Sequence, residues 1–158
     1  MTIATGDRFP AVTLKTNGPE GPEDLDLGHF LAGRRVALFA VPGAFTPGCS
    51  NTHMPGFVVN ADKMLAKGVD AIACLAVNDA FVMGAWQKDQ NAQAITMLAD
   101  GNAELTRALG LEKDASAAGM GVRCRRFAAI VNDGTVEYLG IDDKGVDQSS
   151  AESVLARL

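Results

Sequence analysis

Val36-Ala37-Leu38-Phe39-Ala40-Val41-Pro42-Gly43-Ala44-Phe45-Thr46-Pro47-Gly48-Cys49 is the stretch from which the rest of the chain can be placed. Residues 36–41 are apolar throughout and read as a buried strand. Residues 50–67 are amphipathic and read as a helix that ends at Gly68. Cys49 therefore leaves a buried strand and enters the first turn of a helix. There it meets the positive end of the helix dipole and free backbone N–H groups, and both favour the thiolate, the nucleophilic form of cysteine. Pro42 and Pro47 fix φ and stiffen the loop. Thr46 can set a hydroxyl beside the sulfur. The pattern is that of a reactive thiol.

Outward from this stretch the pattern alternates. Residues 12–15 predict a short strand, 17–24 a loop or hairpin turn, and 25–31 a short helical turn. Residues 69–77 are almost continuously apolar, as strands buried on both faces tend to be. Residues 80–90 predict a helix, 94–98 a strand, and 103–109 a helix ending at Gly110. Asn132-Asp133-Gly134 separates strands at 127–131 and 135–141, a strong hairpin signal. Residues 150–158 predict a last helix. This order makes the chain α/β, a central mixed β-sheet flanked by helices, and 158 residues fit one domain, 1–158.

Composition narrows the function. Apolar residues make up 47% and charged residues 21%, as in a soluble globular chain, and no stretch approaches the ~20 apolar residues of a membrane span. The beginning of the chain lacks the charged and apolar regions of a signal peptide, so a cytoplasmic location is expected. A net charge of −5 speaks against sequence-independent nucleic-acid binding, and the cluster Arg123, Arg125, Arg126 is too short to reverse that. The three cysteines, Cys49, Cys74 and Cys124, contain no Cys-x-x-Cys pair, which argues against a disulfide-stapled fold. With only His29 and His53 besides, no metal site is expected.

Pro42-x-x-x-Thr46-x-x-Cys49 resembles the active-site signature of the peroxiredoxins. VPGAFTPGCSNTHMPGF (41–57) is similar to the type II, or atypical, branch, as are 77–86 (VNDAFVMGAW) and Arg125-Arg126-Phe127. The similarity runs from about Gly6-Asp7 to the C-terminus. It implies a thioredoxin-like fold and a thiol-dependent peroxidase for hydrogen peroxide and alkyl hydroperoxides, with no cofactor. It makes Cys49 the nucleophile, Thr46 and Arg126 the stabilising groups, and Pro42 the shield against bulk water.

The residue types suit that chemistry. A thiolate must attack a peroxide oxygen, and donors must stabilise the charge on the departing oxygen. Arginine stays charged and carries five donors in a rigid fork. The resemblance selects Arg126, ahead of Phe127. Arg125 and Arg123 compete for the role, and strand alternation points Arg125 to the other face. His53, one turn beyond Cys49, can pack, hydrogen-bond or take part in the reaction.

Cys74 lies in an apolar run, where a buried structural thiol is the default, yet some plant-type members make it a possible redox partner. Other members resolve with a cysteine near the C-terminus; residues 142–149 here (DDKGVDQS) hold none. Recycling by an external thiol, glutathione with glutaredoxin or thioredoxin, is therefore expected ahead of resolution by Cys74, and Cys124 is read as incidental. Phe45 and Phe81 beside the loops suggest a symmetric homodimer patch. The rival reading is a redox-sensing or mixed-disulfide binding module on the same fold without efficient turnover.

Overall fold

Alternation of small and large apolar residues builds the centre of this molecule, seen in a computed structural model that describes residues 2–158. Met1, the first residue of the expected domain, lies outside the described residues. The chain runs β1 (Thr13–Gly18), β2 (Gly21–Asp26), α1 (Leu27–Leu31), β3 (Arg35–Ala40), a π-helical turn (Cys49–His53), α2 (Met54–Ala66) and β4 (Ala71–Ala76). It continues through α3 (Ala80–Asp89), β5 (Ile95–Ala99), α4 (Glu104–Leu109), β6 (Glu112–Asp114), β7 (Val122–Cys124), β8 (Arg126–Asn132), β9 (Thr135–Asp142) and α5 (Ala151–Leu155).

Seven strands form one sheet in the order β2-β1-β5-β4-β3-β8-β9. β3, β4 and β5 are parallel, and the remaining pairs are antiparallel. This is the mixed sheet expected from the sequence. Both faces are covered, so β3 and β4 are apolar at nearly every position. Ala37 and Phe39 pack with Phe57, Met64, Met83, Trp86 and Val154 of α2, α3 and α5. Val36, Leu38 and Ala40 point the other way, to Leu27, Leu31, Leu105 and Leu109 of α1 and α4.

Local signals place most boundaries. Asp133 and Gly134 both adopt positive φ, 48° and 81°, and close the tight β8–β9 turn. Gly110 ends α4 in the left-handed conformation. Asp26, Asp79 and Ser150 cap α1, α3 and α5 through their side chains.

Four features differ from the sequence expectation. Of the loop or hairpin turn expected at 17–24 the structure shows a hairpin, with a tighter turn and longer strands than expected: β1 and β2 pair from Thr13–Asp26 to Gly18–Gly21, and Pro22 is accommodated because β2 is an edge strand. A β6–β7 hairpin with a 3₁₀ turn at Ser116–Ala118 occupies a stretch with no periodic signal. The last helix is short, Ala151–Leu155. The fourth lies at the site: the helix expected over 50–67 does not start as an α-helix. Cys49–His53 forms a π turn, in which the Met54 N–H reaches Cys49 O. Pro55 explains it. Its ring cannot donate and crowds the carbonyl one turn back, so the helix widens just ahead of it.

Candidate active site

β3 ends at Ala40, and the chain crosses the carboxyl end of the parallel strands before turning into the helix. β8 runs antiparallel beside β3 with Phe127 opposite Ala40. The start of β8, and so Arg126, is delivered to the place where β3 releases Cys49. The carboxyl end of parallel strands is where open α/β sheets usually collect their functional groups.

Pro47 takes the first helical position and Cys49 the first turn, where backbone N–H groups have no intrahelical acceptor. Cys49 has 0% exposure. The Arg126 Nη2 donates to Cys49 Sγ at 3.2 Å, and Nη1 lies 2.7 Å from His53 Nδ1. Gly48 makes room for this contact: a Cβ there would stand 3.2 Å from Arg126 Nη2. Its φ of −62° is ordinary, so packing against the guanidinium, not backbone freedom, is the reason for glycine.

The arginine competition is resolved by geometry. Arg125 turns away and pairs with Asp143, Nη2 to Oδ1 at 2.7 Å. Arg123 donates to Met120 O and Val77 O and ties the β6–β7 hairpin to the end of β4. Only Arg126 reaches the sulfur among these three.

Thr46 differs from expectation. Its hydroxyl donates to Gly43 O at 2.7 Å and makes no hydrogen bond to Cys49. The loop carbonyl takes the proton that could otherwise have gone to sulfur, which leaves the Thr46 oxygen as an acceptor. Pro42 is half-buried and lines a groove of about 330 Å³ together with Arg126, Glu112, Asp142 and Asp143. Ala44 N donates to Asn78 Oδ1 at 3.0 Å, binding the Cys49 loop to the loop that precedes α3.

The sequence leaves His53 between packing, hydrogen-bonding and a part in the reaction; the structure puts it against Arg126. The ring is buried and lies beside Phe39 and Phe57, with centroids 5.0 and 5.6 Å away. Burial pushes its pKa down from 6.5 to about 4, with the Arg126 charge adding to the shift and the Ser149 carbonyl and Asp142 opposing it. Between those two values the unfolded chain binds a proton at this position and the folded chain does not. Stability is therefore retained above pH 6.5 and lost as pH falls towards 4, by roughly 3 kcal/mol from this group. Denaturant titrations between pH 7 and 4 should show a steeper loss in the wild type than in His53→Asn. Equal slopes would show that His53 does not carry the effect.

Cys74 sits in β4 between Phe39 of β3 and Met97 of β5. It is fully buried, and burial, helped by the charge on Cys49, pushes its pKa well up. Cys124 is buried too; burial raises it to about 12, partly offset by a hydrogen bond with Thr106. All three cysteines are free thiols. Among the described residues no group of three or more His, Cys, Asp or Glu is placed to hold a metal ion. No described helix is long and apolar enough to cross a membrane.

Residues 4–155 match the Redoxin family. The chain is 49% identical to peroxiredoxin-2E-2 of rice, a chloroplastic protein, over 99% of this chain and 73% of that one. It is 46% identical to peroxiredoxin-2D of Arabidopsis thaliana, over 99% and 98%. Among solved structures, reduced Prx3 of Vibrio vulnificus in complex with hydrogen peroxide superposes with a TM-score of 0.94 at 49% identity, covering 98% of each chain. The fold is thus the thioredoxin-like one that the sequence resemblance implied. With the family match spanning nearly all of the described chain, this protein belongs to the peroxiredoxins, in their type II branch.

Proposed function

We propose that this peroxiredoxin, a thiol peroxidase by family, reduces hydrogen peroxide and alkyl hydroperoxides through Cys49 and is recycled by an external thiol. The observation that carries the reading is the Arg126 guanidinium 3.2 Å from Cys49 Sγ, in the first turn of a helix. The thiolate lone pair attacks one peroxide oxygen and the O–O bond breaks. The other oxygen leaves with the bonding pair and takes up a proton as water or alcohol. Sulfur is oxidised to the sulfenic acid. Arg126 and the first-turn N–H groups stabilise the charge on the departing oxygen. Thr46, its own proton held by Gly43 O, accepts a hydrogen bond from the hydroperoxide O–H.

Recycling needs a thiol with access and a thiolate. Cys74 has neither: it stands in β4 between two hydrogen-bonded neighbour strands, and burial strongly favours its thiol form. An external thiol, glutathione with glutaredoxin or thioredoxin, condenses with the sulfenic acid, releases water, and a second thiol frees Cys49. Peroxide consumption with each system supplied separately tests the reading. Sustained turnover with a recycling thiol supports it, and one stoichiometric oxidation that then stops would support the sensing module instead. Cys74→Ser and Cys124→Ser should keep most of the activity with glutathione and glutaredoxin. Loss of turnover in a folded Cys74→Ser would overturn the external-thiol account.

We propose in addition that the protein works as a homodimer. Phe81 is 74% exposed and Phe45, which holds a left-handed φ of 65°, is 50% exposed. The Ala44–Asn78 hydrogen bond ties the Phe45 loop to the segment ahead of α3, whose first turn carries Phe81. Exposed aromatic rings on two segments tied to each other are the raw material of an interface core. Phe81→Glu should shift sedimentation towards monomer; wild type that stays monomeric at micromolar concentration, reduced and oxidised, would refute the dimer.

A further inference from the structure

We propose that His53 is a positioning residue for the peroxidase reaction, orienting the Arg126 guanidinium on Cys49 through a chain of hydrogen bonds anchored at Asp142. The inference rests on the reading of Cys49 and Arg126 above. Each link is closed. Arg126 Nη2 reaches Cys49 Sγ at 3.2 Å and Nη1 reaches His53 Nδ1 at 2.7 Å. A guanidinium offers only donors, so Nδ1 must accept and the ring proton must sit on Nε2. Nε2 lies 2.8 Å from Ser149 O, which can only accept. Both neighbours thus specify the same neutral tautomer.

Ser149 is itself held. Asp142, at the end of β9, accepts from the Ser149 N–H and hydroxyl at 2.8 and 2.7 Å, from Asp147 N at 2.8 Å and from Gln148 N at 3.1 Å. Burial alone would raise this carboxyl's pKa, but the four donors outweigh it and leave it lowered, so it stays an acceptor. The carbonyl that receives His53 is therefore fixed to the sheet.

Arg126 needs such a hold because other partners are close. It borders the groove lined by Glu112, Asp142 and Asp143 together with Lys113 and Arg125. Asp143 is engaged by Arg125 and Asp142 by its four donors, which leaves Glu112 as the carboxylate towards which a freely rotating guanidinium would turn, away from the sulfur. With Nη1 occupied by His53, the rigid fork keeps Nη2 aimed at Sγ. The groups that face His53 are Arg126, the Ser149 carbonyl, Asp142 and the rings of Phe39 and Phe57.

The test is a double-mutant cycle read by stopped-flow oxidation of Cys49 with hydrogen peroxide. Trp86, the only tryptophan, reports it: its Nε1 donates to Ser50 Oγ at 3.0 Å, beside Cys49. His53→Leu should slow oxidation by about 10- to 100-fold, the range for groups that orient a functional side chain. His53→Asn, whose amide oxygen can take the place of Nδ1, should keep most of the rate. In an Arg126→Gln background His53→Leu should add nothing, because its partner is gone. Losses that multiply, or an unaltered rate in folded His53→Leu, would overturn the proposal. A normal rate in Arg126→Gln itself would instead overturn the active-site reading. If His53→Leu does not fold, ¹⁵N NMR of the reduced wild type decides: Nε2–H supports the chain, and Nδ1–H overturns it.

Discussion

Cys49→Ser should consume no hydroperoxide above background, with either recycling system, while folding as the wild type does. A serine hydroxyl is not ionised at neutral pH, and its oxygen is too hard to attack the weak O–O bond. The surroundings remain: Arg126 can still donate to an oxygen where sulfur stood, and the loss of one buried atom's size leaves the Phe39–Phe57 stack, with centroids 3.9 Å apart, in place. The expected effect is thus confined to chemistry. Measurement is direct, as peroxide decay with circular dichroism as the control. Residual turnover in Cys49→Ser would assign the nucleophile to Cys74 or Cys124, against their burial and raised pKa.

Arg126→Gln should lower the second-order rate with hydrogen peroxide by about 10²–10³-fold, the usual loss when a preorganised donor to a developing anion is removed. Glutamine is shorter and neutral, so both the attacking sulfur and the departing oxygen lose their charged partner. Arg125→Gln is the matched control. Its side chain pairs with Asp143, which is 76% exposed, and an ion pair so open to water contributes little. It should change the rate by less than about twofold, since it offers no donor to the reacting atoms. A silent Arg126→Gln with a slow Arg125→Gln would reverse the assignment of faces at the start of β8.

How far the sequence carries depends on the range of the forces involved. The β3 and β4 runs, the Asp133-Gly134 turn and the Gly110 stop are local, and they read directly. The choice of Arg126 came from the family resemblance; strand alternation says only that Arg125 faces the other way. The β6–β7 hairpin was not legible: Glu112, Lys113 and Asp114 are exposed, so no buried face writes a period into the sequence. The π turn left a single trace, Pro55, hidden within an otherwise good helical pattern. The partner of the Thr46 hydroxyl was not legible, because its rotor gives its proton to Gly43 O and loop closure alone brings that oxygen near. The position of His53 one turn after Cys49 placed both on one face of a helix. What it meets there, Ser149 from the loop between β9 and α5, is a tertiary fact that no spacing encodes.

The wide turn at Cys49–His53 has a kinetic consequence. Its sulfur presents no surface to solvent, so any reactant needs the turn to shift, and a folded protein donor needs it to shift much further than a hydroperoxide of a few atoms does. A large donor must wait until the turn unwinds. The rate of re-arming the cysteine should then climb with donor concentration only to a ceiling, and that ceiling should be the same for any protein donor. The tempo of the catalytic cycle under heavy oxidant load is in that case a property of this chain's own breathing, set where a proline forces one helical turn out of register.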